Sequence, residues 1–382
     1  MLFIFKKTIF CVLFISIILA CLQFVLYADF EIGDSIPSAI MIEKSTGTVI
    51  YEKDADSPRP PASVTKVMTM LLIMEAVDSG KLSLDDTVTV SAHAASMGGS
   101  QVYLKEGEQM TVNDMLKSIV VSSANDACVA MAEHIAGSEE AFVGMMNDKA
   151  AELGMANTHF ENTNGLDDTA KEHYTSSRDI AIMSRELLKH EKILDFSSIW
   201  MDSIRGGEFG LTNTNRLIRF YKGANGLKTG STSKAGFCIS ATAERDGMTL
   251  IVVIMGAPTR DDRNEAAKSL FDYGFANYSL FTSEELRIEG FPVKRGVSDS
   301  CNLSSEGISV LCPKGSIENV TSENILPEFL NAPVAEGEQV GKVIYAIDGV
   351  QIGEAEIVAD TSVEKVGYGH LLIDIIKKIF AI

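Results

Sequence analysis

The sequence predicts an α+β protein: a mixed sheet flanked by helices, then a small all-β domain and a C-terminal amphipathic helix. Three observations predict it. Strand-like runs lie at both ends of a helical middle, between Ala39 and Tyr278. Beyond about Ser279 the texture turns to short β-rich pieces punctuated by Gly and Pro. The final stretch, Tyr368–Ile382, carries apolar residues on a helical stripe. The order strand–strand, helices, strand–strand is that of an α+β fold rather than of repeated βαβ units. A chain of 382 residues has room for one sizeable domain and a smaller one, since domains commonly run to roughly 100–200 residues.

The first segment to account for is not part of the fold. Lys6 and Lys7 precede a nearly continuous apolar run, Thr8–Leu26, that ends in Tyr27-Ala28 before the polar Asp29-Phe30-Glu31. This is a signal-peptide pattern with Ala28 as the last residue removed. An uncleaved anchor is the alternative, and both readings export the body. A lipidated Cys21 fits less well, because Leu22–Leu26 continue the apolar run where a polar tether belongs.

Ala39–Glu43, the turn Thr46-Gly47 and Val49–Tyr51 read as a hairpin. Apolar residues at helical spacing then predict helices over Val64–Ala76, Val112–Val121, Ala127–Ile135, Glu139–Leu153 and Ser177–Leu188. Thr111 with Asp114, and Ser176 with Asp179, have the spacing of N-terminal caps, and Gly137 and Gly154 stand as stops. From Asn225 the period changes. Gly236–Ala243 and Met248–Gly256 are strand-like and joined around Asp246-Gly247, a strong hairpin signal, and Asn264–Tyr278 reads as the closing helix. Ile308–Leu311 and Gly341–Ile347, with the turn Asp348-Gly349-Val350, are strands of the small β domain. In the terminal stripe Leu371, Leu372, Ile375, Ile376, Ile379 and Phe380 oppose Asp374, Lys377 and Lys378. A spanning helix needs roughly 20 apolar residues, so the stripe reads as a helix lying on a membrane surface; packing on the protein's own core is the alternative.

Bulk composition excludes several classes. Lys and Arg number 33 against 52 Asp and Glu, a net charge of −19, which argues against a nucleic-acid partner because phosphate binding needs clustered cations. The 6 His lack ligand spacing and the Cys match no zinc pattern, so no metal is expected. No cofactor is implied. Cys301 and Cys312 could pair outside the cell or serve as buried thiols.

Three short motifs occur in order: Ser63-Val64-Thr65-Lys66, Ser123-Ala124-Asn125 and Lys228-Thr229-Gly230. Together they match the pattern of penicillin-recognising serine enzymes. Ser63 opens a helix, where free N–H groups favour developing negative charge, and Lys66 shares its face one turn on. A Lys held in a dry site near a second cation such as Lys228 loses basicity and can act as a base. Ser123 and Asn125 fall between helices, free to point into a cleft, where Ser123 could relay a proton and Asn125 could hold the substrate amide and Lys66; alternatively both are caps. On the strand-like run Asn225–Ser231, Gly230 permits close backbone approach, while Lys228 and Thr229 offer charge and a hydroxyl to a carboxylate.

With their flanks, these motifs resemble the D-Ala-D-Ala carboxypeptidases, the low-molecular-weight penicillin-binding proteins of the S11 serine peptidases. Pro61–Thr69, Ser123–Ala132, Gly226–Gly236, Asn164-Gly165-Leu166 and Tyr174–Asp179 all look like that family, and the likeness runs from near Ser38 to near Tyr278. It continues in Asn331–Val334 and Val340–Val343. The resemblance implies a β-lactamase/transpeptidase-like catalytic domain over 29–280 after a signal peptide at 1–28, a β domain over 281–362, and a membrane-anchoring helix over 363–382. It implies Ser63 as nucleophile, Lys66 as base, Ser123 and Asn125 as shuttle and orienter, Lys228 and Thr229 as carboxylate grip, and an oxyanion hole from the N–H groups of Ser63 and Ser231. It further implies peptidoglycan stem peptides as substrate, β-lactams as covalent inhibitors, and a place on the outer face of the cytoplasmic membrane.

Three positions depart from some relatives: Ala124 stands where some carry Gly, Ser231 follows Lys-Thr-Gly where some have His or another residue, and the third lies near Met255–Thr259. Pro258 stands where some relatives place an Arg, with Arg260 close by, so no carboxylate-binding Arg is assigned. A class A-like β-lactamase would need an acid segment that is not evident. An endopeptidase would use the same machinery, and a silent wall-binding protein would not need Ser63, Lys66 and Lys228 intact.

Overall fold

The structure is a computed structural model that describes residues 30–167, 170–367 and 369. The expected signal peptide and almost all of the C-terminal stripe lie outside the described residues. The chain divides into two units, one ending at Asp34 and one from Ser35. In the first, residues 30–34 hold no helix or strand; everything below belongs to the second.

The second unit opens with β1 (Ser38–Glu43) and β2 (Val49–Lys53). A 3-10 turn, Ala62–Thr65, leads into α1 (Lys66–Asp78). Then come β3 (Thr87–Thr89), α2 (Ala92–Ala95), β4 (Gln109–Thr111), α3 (Val112–Ser122), α4 (Asn125–Ala136) and α5 (Glu139–Glu152). After α6 (Ser177–Leu187) and α7 (Ile193–Ser197) follow the hairpin β5 (Met201–Ile204) and β6 (Phe209–Thr212) and the single turn α8 (Leu217–Phe220). Long strands β7 (Ala224–Thr232), β8 (Gly236–Arg245) and β9 (Met248–Ala257) precede α9 (Arg260–Asn277).

The main sheet has the order β2-β1-β9-β8-β7. Sequence alone put strands from both ends of the helical middle in one mixed sheet; they do share a sheet, but every pairing is antiparallel. The reason is local: β8 and β9 are joined by Asp246 and Gly247, both at positive φ (51° and 76°), the two-residue turn that suits the twist of a hairpin. The central strand β9 is buried on both faces. Its Ile251, Val253 and Met255 belong to the main core, while Leu250 and Met41 lie against Gly274 of α9. A strand covered on both sides has no polar face to display, which is why Met248–Gly256 reads as one apolar run.

Helix α1 is buried from Lys66 through Met74, as a helix apolar on all sides must be. The expected caps are present: Thr111 Oγ1 accepts from the Asp114 N–H and Ser176 Oγ from the Asp179 N–H, both at 3.1 Å. Gly137 ends α4 at φ 83°. One boundary moves. The last helix begins at Arg260, not Asn264, because Thr259 caps it by accepting from the Asp262 N–H at 3.1 Å; its first turn, Arg260–Arg263, has no apolar residue, so apolar spacing misses it.

Beyond α9 the described residues form β10 (Tyr278–Thr282), β11 (Leu286–Lys294), β12 (Ser300–Ser305), β13 (Ser309–Pro313), β14 (Val320–Ile325), β15 (Leu330–Asn331), β16 (Gln339–Ile347) and β17 (Val350–Ala359), with a 3-10 turn at Ile317–Asn319. Strands β14-β16-β17-β12-β11-β15 form one sheet and β10 pairs with β13. This part has its own apolar core around Leu303, Val343 and Ile357. Cys301 and Cys312 are buried free thiols, like Cys128 and Cys238.

Candidate active site

The three motifs converge where the 3-10 turn, the α3–α4 junction and β7 meet. Ser63 lies inside the 3-10 turn rather than at the first residue of an α-helix, because Ala62 has a positive φ of 49° and the α-helix starts only at Lys66. The close approach of β7 is made by Gly230: a Cβ there would stand 2.7 Å from the Ser63 nitrogen and 2.9 Å from the Pro61 carbonyl oxygen. Only a residue without a side chain lets the strand lie this near the turn.

Lys66 is fully buried, yet among the described residues it has no carboxylate partner in hydrogen-bond contact. Its Nζ donates to Ser63 Oγ at 2.9 Å, to Asn125 Oδ1 at 2.7 Å and to the Asn164 carbonyl at 2.8 Å. An ammonium has three donors, and all three are used. Burial lowers its pKa to about 8, against smaller opposing influences from Cys128 and Asp126. Lys228 is also fully buried, donating to the Thr229 carbonyl at 3.1 Å. Burial first, and the Lys66 charge second, push its pKa well below the ordinary value. Cys128 is buried beside both, and burial pushes its thiol up to about 12, so it stays neutral.

Asn125 is not a cap: the residue before α4 is Ala124, without a side-chain cap. Its amide is fixed at both ends, Oδ1 on Lys66 and Nδ2 on the Gly98 carbonyl at 2.7 Å. Ser123 adopts the left-handed conformation (φ 63°, ψ 32°) that ends α3. It is 4% exposed and makes no hydrogen bond to Ser63 or Lys66 among the described residues. Thr229 Oγ1 donates to Thr214 Oγ1 at 2.8 Å. Ser231 is exposed at the end of β7, and Arg260 is exposed at the start of α9.

Three contributors escaped reading from sequence. Asn164 supplies a backbone carbonyl to Lys66, held by a loop in which Asn162 Oδ1 accepts from the Gly165 N–H at 2.7 Å; the Asn164-Gly165-Leu166 motif marked the place but not the role. His173 Nε2 bonds Thr65 Oγ1 at 2.8 Å, while its Nδ1 accepts from the Glu161 N–H at 3.0 Å. The ring is therefore a neutral Nε2–H donor bracing the turn that carries Ser63. Thr214 left no signal, because a Thr in a loop has no distinguishing pattern.

With this geometry in hand, comparison with known proteins decides the family. The family model described as D-alanyl-D-alanine carboxypeptidase, peptidase S11, matches residues 34–259. The chain belongs to the D-alanyl-D-alanine carboxypeptidase family. A second model, the penicillin-binding protein 5 C-terminal domain, matches residues 292–365. The S11 chain is 43% identical over 345 residues to D-alanyl-D-alanine carboxypeptidase DacF of Bacillus subtilis, covering 88% of each. Among solved structures, penicillin binding protein 5 from Haemophilus influenzae aligns with a TM-score of 0.76 at 31% identity, covering 87% of this chain and 98% of that one. Penicillin-Binding Protein D2 from Listeria monocytogenes, in its ampicillin-bound form, aligns at 0.58 and 31% identity, covering 63% of this chain and 98% of that one. The S11 chain is thus a serine carboxypeptidase with the transpeptidase-like fold and a C-terminal all-β part.

Proposed function

We propose that the S11 chain removes the terminal D-Ala from peptidoglycan stem peptides through an acyl-enzyme on Ser63. The observation that carries this reading is the fully donated Lys66 ammonium. When it loses one proton, two N–H groups still serve Asn125 and Asn164, and the freed lone pair faces Ser63 Oγ at 2.9 Å. The amine then takes the hydroxyl proton as Oγ attacks the penultimate D-Ala carbonyl. The N–H groups of Ser63 and Ser231 face the developing oxyanion, a role supported by the close approach of β7 at Gly230. Ser123 passes a proton to the departing D-Ala amine, and water completes hydrolysis.

β7 is an edge strand of the sheet, the kind of strand an extended peptide can pair with, although its Gly226 and Thr229 carbonyls already accept from Asn215 and Lys228. Lys228 and Thr229 on that strand take the substrate carboxylate, with no Arg assigned to it. β-Lactams acylate the same serine. We take the catalytic domain as 29–280 and the β domain as 281–362, in keeping with an apolar core in each part, although Val363 still packs in the β core and bridges to Val334; of the terminal segment 363–382, the apolar stripe with Lys377 and Lys378 is the part we assign to the outer face of the cytoplasmic membrane after export.

The test is intact-mass analysis after incubation with benzylpenicillin, beside a Ser63→Ala control, with D-Ala release from a D-Ala-D-Ala-terminated peptide. A lasting adduct lost in the control, together with released D-Ala, is the expected result. Rapid penicillin turnover without an adduct would reassign the site to a β-lactamase.

A further inference from the structure

Beside the cleft stands a cationic aromatic patch that the mechanism does not use. Phe220 is 58% exposed and Met201 64%. The Phe220 ring meets Trp200 edge-on at 6.1 Å. Arg216 lies over Phe220 at 5.6 Å, and Arg219 lies over both Phe220 and Trp200 at 5.6 Å. Both Arg are exposed, and among the described residues neither guanidinium forms an ion pair or hydrogen bond, although the chain carries a net charge of −19. The Trp200 Nε1–H is buried without an acceptor, so the cluster is not closed upon itself.

The patch is anchored to the wall of the active site. Along Thr212–Arg216 exposure alternates: Asn213 and Asn215 are buried, Thr214 and Arg216 exposed. Asn213 Nδ2 donates to the Ile199 carbonyl at 2.7 Å, its N–H donates to the Trp200 carbonyl at 2.9 Å, and Asn215 Nδ2 donates to the Gly226 carbonyl at 2.8 Å. Two residues before Arg216, Thr214 touches Thr229. The guanidiniums are therefore held on a braced segment next to the cleft.

We propose that Arg216 and Arg219, on their Phe220–Trp200 cushion, form a docking site for an acidic peptide segment outside the catalytic cleft. A planar guanidinium held over a ring keeps its N–H fork free for a carboxylate, and Phe220 offers an apolar face to the peptide. Two unpaired cations in an acidic chain supply the charge complementarity. Resting on the carboxypeptidase reading, the occupant is a second acidic stem of the polymeric substrate, whose capture raises the effective concentration of the stem being cleaved.

Trp200 is the chain's one tryptophan, so its emission reports on this patch alone. Full chain acylated with benzylpenicillin, so that the cleft is blocked, is titrated with an N-acetylated, C-terminally amidated γ-D-glutamyl peptide, with the glutaminyl analogue as control. A saturable emission change with the glutamyl peptide only is expected. By calorimetry, Arg216→Gln/Arg219→Gln should bind it at least about tenfold more weakly, with penicillin acylation unchanged. An equal response to both peptides, undiminished binding by the double variant, or a response only to anionic lipid vesicles would overturn the proposal. Absence of the penicillin adduct would instead count against the carboxypeptidase reading, and the titration is then run on unblocked protein with the same outcomes.

Discussion

The carbonyl oxygen of Ala62 occupies the space that a side chain on Gly165 would need: a Cβ there would lie 1.9 Å from it. Gly165 also has a φ of +85°, so two requirements coincide at one residue, and the loop presenting the Asn164 carbonyl to Lys66 is seated on the turn that carries Ser63. Gly165→Ala should displace that loop and slow penicillin acylation by at least about 100-fold, the scale of a 1 Å misplacement. Gly80→Ala is the control. It shares the positive φ (+72°) but meets nothing within 4 Å, so it should lose about 1 kcal/mol of stability and acylate normally.

Burial lowers the pKa of Lys66 to about 8, and in the proposed mechanism the neutral amine is the form that accepts the Ser63 proton. The acylation rate constant should therefore rise with pH and level off above about 8. Lys66→Arg, which cannot lose its proton in this range, should abolish the reaction at every pH. A stopped-flow pH profile showing no rise through that region would remove Lys66 as the base.

How far these residues were legible depends on what holds them. Ser63, Lys66, Asn125, Lys228 and Thr229 lie in contiguous motifs whose spacing is fixed by one helical turn or one strand, so sequence could place them. Asn164 acts through its backbone carbonyl, which any residue possesses. Thr214 and His173 act through contacts with residues 15 and 108 positions away, which no local pattern records. The fold divides in the same way. α1 and β9 are long and apolar and were readable, whereas β3 with β4 and β5 with β6 are short two-stranded pairs, three and four residues per strand, set by tertiary packing.

Thr214 receives the Thr229 hydroxyl and is itself exposed, so its side chain is placed to align the proposed carboxylate grip rather than to fill the core. Thr214→Val keeps the shape and removes the acceptor. A hydrogen bond of this kind is worth about 1 kcal/mol, so kcat/KM for a D-Ala-D-Ala peptide should fall about fivefold, mainly through KM, with the melting temperature lowered by no more than about 4 °C. Thr214→Ser should restore it; a fall in kcat alone would argue for a different role.

His173 links acid stability to the turn that carries Ser63. Burial lowers its pKa from 6.5 to about 4, and its Nδ1 already accepts the Glu161 N–H, so the folded protein resists protonating it. Between those two values the unfolded chain binds a proton that the folded chain does not, and stability must fall as pH drops from about 6.5 to about 4. The full effect is about 3 kcal/mol, on top of what the carboxylates contribute. His173→Gln removes the titration, so the stability difference between wild type and variant should narrow by that amount as the medium is acidified, measured by urea unfolding across the range. Parallel curves for the two proteins would show that the ring is not held neutral, and the Thr65 bond would then need another explanation.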